Sequence, residues 1–245
     1  MRRRGLVVGA GALSVVLLVG GYVAWDRWPR ALPDHPGGFR LAGAGEVLVP
    51  VPEDWPVLVG GCADPSVPAL VYETVADQGT KCYGGVHPPV STITVLEPHS
   101  GLEDAAPNGL HPTGETVEGH AIVANETICE LPSTPVCTQT FGLPDFDSYF
   151  TVTLVERESA DDMTELRTGM RLVPRGWTTV PFVQNTYPPS PVDGALEAAG
   201  LQVRTTQEPH PYDAGSFLRT QPPLGTAVRR GSTVLVVLSS GPQPS

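Results

Sequence analysis

Three histidines, His99, His111 and His120, share one stretch with Glu103, Asp104 and Glu115. Imidazoles among carboxylates are the donor set of a divalent-metal site. Their spacings of twelve and nine residues match no compact ligand motif, so solvated loop histidines are expected and no metal or other cofactor is assigned. Paired carboxylates, the groups used in general acid–base chemistry, occur as Asp145/Asp147 and Asp161/Asp162. The first pair sits in a turn beside Gly142 and Pro144. The second falls in the first turn of an expected helix, where the positive end of the helix dipole favours negative charge. Both therefore have structural explanations. No serine lies in a GxSxG elbow, and Lys81, the single lysine, rules out a Ser-x-x-Lys pair. With no nucleophile, base or metal set arranged, the chain is not expected to be an enzyme.

Two further groups of side chains carry chemistry. Cys62, Cys82, Cys129 and Cys137 are even in number, and none forms a CxxC pair or sits beside a histidine pair at zinc spacing. They read as disulfides formed in an oxidising compartment. Four cysteines allow three connectivities. Pairing of sequence neighbours, Cys62 with Cys82 and Cys129 with Cys137, closes the shortest loops and is the expected one. Arg204 and Arg219 are the only basic side chains expected in the middle of strands near the carboxyl end. Their flat two-pronged donors suit carboxylate ligands, against the plainer reading of two surface arginines. Asn125-Glu126-Thr127 fits a glycosylation acceptor pattern and is taken as incidental.

The elements that must position these residues begin at the amino terminus. Arg2-Arg3-Arg4 precedes residues 5–24, which contain no charge and span about 30 Å as a helix, the thickness of a bilayer core. The arginines place a short stub, residues 1–4, in the cytoplasm and send the remainder outside. A cleaved signal peptide is the alternative. The apolar run exceeds the usual length of about 7–15 residues, however, and Tyr22 would occupy the small-residue position before a cut after Ala24. A retained single-pass anchor in the cell membrane is expected. With the three arginines inside, the exported part carries 12 basic against 26 acidic residues, which argues against nucleic acid and anionic lipid as partners.

Residues 25–44, with Pro33, Pro36, Gly37 and Gly38, read as a linker. Residues 45–174 read as one α+β extracytoplasmic domain. Its strands are expected at 46–51, 69–74, 91–96, 118–124, 136–141 and 148–156, with a surface loop over 98–115. A late helix, opened by Ser159 and ended by Pro174, carries Met163, Leu166 and Met170 on one face.

From residue 178 to 241 the pattern changes. Ser190-Pro191-Val192-Asp193 opens a helix, Ala195, Leu196 and Ala199 give it an apolar stripe, and Gly200 stops it. Strands follow over 201–205, 216–221 and 233–238. Val180-Pro181, the run Ala195 to Val203, Ala214-Gly215, Gln221-Pro222-Pro223-Leu224-Gly225-Thr226, Val228 to Val234 and Val236 to Gly241 together resemble a PASTA domain. That module occurs on bacterial penicillin-binding proteins and membrane Ser/Thr kinases. The segment Val183 to Ser190 departs from the family, being longer and proline-rich where a short glycine turn is usual. The glycine, proline and arginine bias fits a GC-rich genome such as an actinobacterium's.

The whole then reads as an α+β protein: a transmembrane helix, a mostly β domain with one late helix, and a small PASTA-like domain of helix plus three-stranded sheet. The resemblance implies a place at the cell wall and contact with peptidoglycan or its precursors, through Arg204 and Arg219, by a binding or sensing protein. The alternative is a non-catalytic scaffold whose middle domain docks an exported or membrane partner, the PASTA-like part serving as spacer. The two differ in whether the protein pellets with insoluble peptidoglycan.

Overall fold

Gly45-Glu46 sets the first corner. Gly45 has φ +57°, and it turns β1 (Phe39–Ala44) back onto β2 (Val47–Pro52) as an antiparallel hairpin with Ala44 opposite Val47. The structure is a computed structural model and describes residues 31–33, 37–59, 66–73, 90–96, 109–130, 135–155, 160–182 and 192–243. The hairpin is buried on both faces. Ala42, Ala44, Val47, Val49 and Val51 face the main core, while Leu41 and Leu48 pack with Ala227 on the other side. β1 falls inside the stretch expected to be a linker. Its small residues are what permit this, because a Cβ on Gly43 would sit 2.0 Å from the Val47 carbonyl oxygen.

The largest sheet has eight strands. In spatial order it runs β3 (Val57–Val59), β4 (Ala69–Glu73), β5 (Thr92–Leu96), β10 (Ser148–Val155), β9 (Val136–Leu143), β7 (His120–Ala124) and β6 (His111–Val117), with β8 (Ile128–Glu130) also on β9. β3, β4 and β5 are parallel and the rest antiparallel. β9 and β10 align over eight residues, Ser148 with Leu143 through Val155 with Val136. The alternation of Tyr149 to Val155 sends Phe150 and Val152 into the core with Phe141, Ile93 and Val95. α1 (Ala160–Thr168) lies against this sheet and buries Met163 completely, and Met170, just past its end, is equally buried. The helix stops at Thr168, earlier than Pro174, with Gly169 following it, where a Cβ would meet the Pro50 ring at 2.8 Å.

Beyond α1, β11 (Arg171–Leu172) joins β2, and β12 (Trp177–Thr179) pairs with β15 (Ala227–Arg229). α2 (Val192–Ala198) precedes β13 (Gln202–Glu208), which runs parallel to β16 (Thr233–Ser239). β14 (Phe217–Gln221) completes a three-stranded sheet in the order β13-β16-β14.

The expected α+β class is corrected by this arrangement. Sixteen strands stand against two α-helices of nine and seven residues among the described residues, so the protein is mostly β. Nor does the carboxyl-terminal part form a PASTA arrangement of one helix on its own sheet. Its β15 is paired to β12, Thr226 bridges to Ala42 of β1, and the Gly43 amide donates to the Gly225 carbonyl at 3.1 Å. One apolar core runs continuously from Ala42 to Val236. The physical reason is that β15 and β12 are too short to persist without neighbours, and the available neighbour is the β1–β2 hairpin. The fold expectation also included a membrane helix. No helix among the described residues is long and apolar enough to cross a membrane, and residues 5–24, where that helix was expected, lie outside them.

Candidate functional site

Among the described residues, an open cleft of about 1070 Å³ lies between α1, the β1–β2 hairpin and the β5–β10 part of the large sheet. Its apolar lining comes from Phe39, Leu41, Trp55, Ile93, Leu154 and Leu166. Asp54, Asp162 and Glu165 add carboxylates, and Arg171 is the one cation among the lining residues. Each wall is fixed by identifiable polar contacts.

The Trp55 turn is held from beneath. Arg40 lies on the inward face of β1, and its Nη2 donates to the Trp55 carbonyl at 3.1 Å. Burial lowers the pKa of this guanidinium, partly offset by Tyr72, yet arginine stays charged. Its Nη1 is buried without a hydrogen-bond partner among the described residues. The α1 wall is clamped from the far side. Arg167 donates from Nε and Nη2 to the two carboxylate oxygens of Glu115 on β6, at 2.6 and 3.0 Å, and from Nη1 to Gln139 Oε1 at 3.0 Å. Gln139 in turn donates to the Asn125 carbonyl at 3.0 Å. The fork–fork hydrogen bonds with Arg167 hold the Glu115 carboxyl below its usual range. Arg171 closes the last turn of α1 by donating from Nη1 to the Thr168 and Met170 carbonyls. The balance of the rim is acidic.

The residues singled out from sequence are distributed as follows. Arg204 on β13 and Arg219 on β14 share one face of the three-stranded sheet, since Arg204 stands beside Leu235 and Arg219 beside Val237 on β16. Arg219 is not available as a fork for a ligand. Both its terminal nitrogens donate to Glu208, the Nη2–Oε2 distance being 2.8 Å, and this pair lowers the Glu208 pKa and raises that of Arg219. Arg204 is exposed. Cys129 and Cys137 face each other across β8 and β9 and are bonded, with Cα atoms 4.1 Å apart. Cys62 and Cys82 lie outside the described residues.

His111 stands in a strand and not in the loop expected over 98–115, His120 opens β7 within the strand expected at 118–124, and His99, Glu103 and Asp104 lie outside the described residues. His120 Nδ1 is 2.7 Å from Asp145 Oδ2, and its ring meets Phe146 edge-on at 4.7 Å. Glu115 is committed to Arg167. No group of three metal-ligating side chains forms among the described residues. Asn125 is half-buried, and its side-chain oxygen accepts from the Thr140 amide at 2.8 Å, which accounts for it as a corner of the sheet. The cleft itself was not anticipated. Its one sequence signal was Trp55 among Pro50, Pro52 and Pro56, a pattern that marks a rigid aromatic corner without revealing what it faces.

No protein-family model matches the chain, and no curated protein matches it.

Proposed function

We propose that this chain is a membrane-anchored, extracytoplasmic docking protein with no catalysis of its own, whose cleft beside α1 holds an extended segment of an exported or membrane partner. The cleft carries the reading. Its half-buried Trp55, Phe39, Leu154 and Leu166 are offered to apolar side chains, and Asp54, Asp162 and Glu165 favour a segment that also bears lysine or arginine. Export is supported by the charge and hydropathy pattern of residues 1–24 and by the Cys129–Cys137 bond, which belongs to an oxidising compartment. The reading of a two-arginine clamp on muropeptide carboxylates is weakened because Glu208 already fills the Arg219 fork.

The test is selection of displayed random peptides on the immobilised full chain, wild type beside Trp55→Ala and Glu165→Lys. Enrichment of peptides combining aliphatic and basic residues, lost with Trp55→Ala and reduced with Glu165→Lys, is expected. Selection that ignores both substitutions overturns the docking site. Sedimentation with insoluble peptidoglycan, undiminished by Trp55→Ala, would assign binding to the wall instead.

A further inference from the structure

Sheet edges in this protein are managed unevenly. β3 and β8 are three residues long, and β11 is two. β6 carries Pro112, a register shift between Pro112 and Thr116, and Gly114 at φ +83°. β14 carries a register shift between Phe217 and Arg219 and runs into Pro222. β1 is bridged to Thr226. Shortness, bulges, prolines and cover are the usual ways of blunting an edge against another strand.

Among the described residues, β13 has none of these. It is seven residues long, pairs with β16 in unbroken register, and exposes Gln202, Arg204, Thr205, Thr206 and Gln207. The Gln202 amide donates to the Ser232 carbonyl, and the Glu208 carbonyl accepts from the Ser240 amide. The even-numbered residues therefore turn their backbone groups to β16. In the pleat, those of Val203, Thr205 and Gln207 point to the free edge.

We infer that this edge is a self-association surface, where β13 pairs antiparallel with β13 of a second copy about a twofold axis at Thr206. In that register Thr205 and Gln207 exchange N–H···O=C bonds with Gln207 and Thr205 of the other chain, matching the groups the edge presents. Arg204 stands opposite Glu208 twice over, and Thr206 meets its own copy. Opposite charges and paired threonines are favourable cross-strand partners. A register centred one residue earlier sets Arg204 against Thr206 and forgoes both charge pairs. Self-complementarity of this kind is what an isologous interface requires. Glu208 serves both arginines, so the Arg219–Glu208 pair becomes the inner half of a network across the joint.

The register makes the test specific. Thr206 with Thr206 is a non-hydrogen-bonded pair with Cα atoms about 4.5 Å apart, within the range a disulfide spans. Thr206→Cys in the full chain in detergent is expected to give a dimer in non-reducing electrophoresis that reductant abolishes. Wild type run alongside accounts for Cys62 and Cys82. Thr205→Cys, two residues out of step with itself across the axis, is expected to stay uncrosslinked. Thr205→Pro removes an outward N–H on an edge strand, which folded sheets tolerate, and is expected to abolish the Thr206→Cys crosslink and to halve the mass seen by light scattering. A substitution-free measurement stands beside these: hydrogen exchange at the Thr205 and Gln207 amides of the wild type should slow as protein concentration rises. Absence of the Thr206→Cys dimer, equal crosslinking by Thr205→Cys, or exchange independent of concentration each overturns the inference.

Discussion

Replacing Gly225 by alanine tests the junction that joins the carboxyl-terminal strands to the rest of the molecule. Gly225 has φ +72°, its amide donates to the Val180 carbonyl at 2.7 Å, and its carbonyl accepts from the Gly43 amide. A Cβ at this position would lie 1.6 Å from the Tyr72 hydroxyl and 2.7 Å from the Gly43 carbonyl oxygen. That hydroxyl donates to the same Gly43 oxygen at 2.7 Å, so it has no free direction in which to retreat. Three costs follow. An alanine in left-handed conformation costs about 1–2 kcal/mol. Loss of a buried hydroxyl–carbonyl bond costs about 1–3 kcal/mol. Displacing the ring of Tyr72, which is 1% exposed and stacked on Phe182 at 6.1 Å, is an overpacking of about 1–3 kcal/mol.

The expected loss is of order 5 kcal/mol, a large part of a total near 5–15 kcal/mol, and a Tm lower by about 10–20 °C. Urea titration followed by tryptophan fluorescence measures it. Tyr72→Phe in the same background removes the nearest atom, so the double variant should recover part of the loss as a positive coupling. A loss below about 1 kcal/mol, or a Tyr72→Phe change that simply adds, would show that the two parts do not meet as described.

Two further outcomes follow from the cleft walls and the β8 edge. Glu115 has a folded pKa below its unfolded one, so its pairing with Arg167 contributes stability above the ordinary carboxylate range, near pH 4.3, that is lost as pH falls through the lowered value. Glu115→Gln should lower the Tm at pH 7 and flatten its acid dependence in a pH series of thermal melts; an unaltered slope would exclude the pair as a source of that dependence. Replacing Cys129 and Cys137 together by serine reopens a loop of sequence separation 8 and should cost about 2–3 kcal/mol in urea titration, with faster exchange at the β8 amides. No change in either would mean that the bond is not formed in solution.

Sequence patterning located strands wherever side chains alternate over a long, self-sufficient run. Those expected at 69–74, 91–96, 136–141 and 148–156 overlap β4, β5, β9 and β10, whose Val, Ile, Tyr, Phe and Thr residues meet a core on one face. The strands that were missed owe their existence to partners. β12 and β15 are three residues each and define one another, and β6 contains proline and two-sided polarity that read as loop. β1 hid among glycines and alanines because it is buried on both faces, a condition that erases alternation. The candidate site was legible only in pieces. Cys129 with Cys137 followed from loop length, but Glu115 with Arg167 and Arg40 with Trp55 join residues 52 and 15 positions apart, for which no local spacing gives a signal. The arginines at 204 and 219 were visible as strand residues, whereas the carboxylate that occupies one of them was not.

The two-sided hairpin constrains the order in which the molecule can mature. Leu41 and Leu48 find their cover in Ala227, and Thr226 bridges to Ala42, so the first of the described strands to be made waits for nearly the last. Until about 180 intervening residues have emerged, that hairpin presents one greasy side to its surroundings. Nascent chains stalled short of β15 are therefore incomplete in the middle as well as at the tail, and a holding factor has most to grip during that interval.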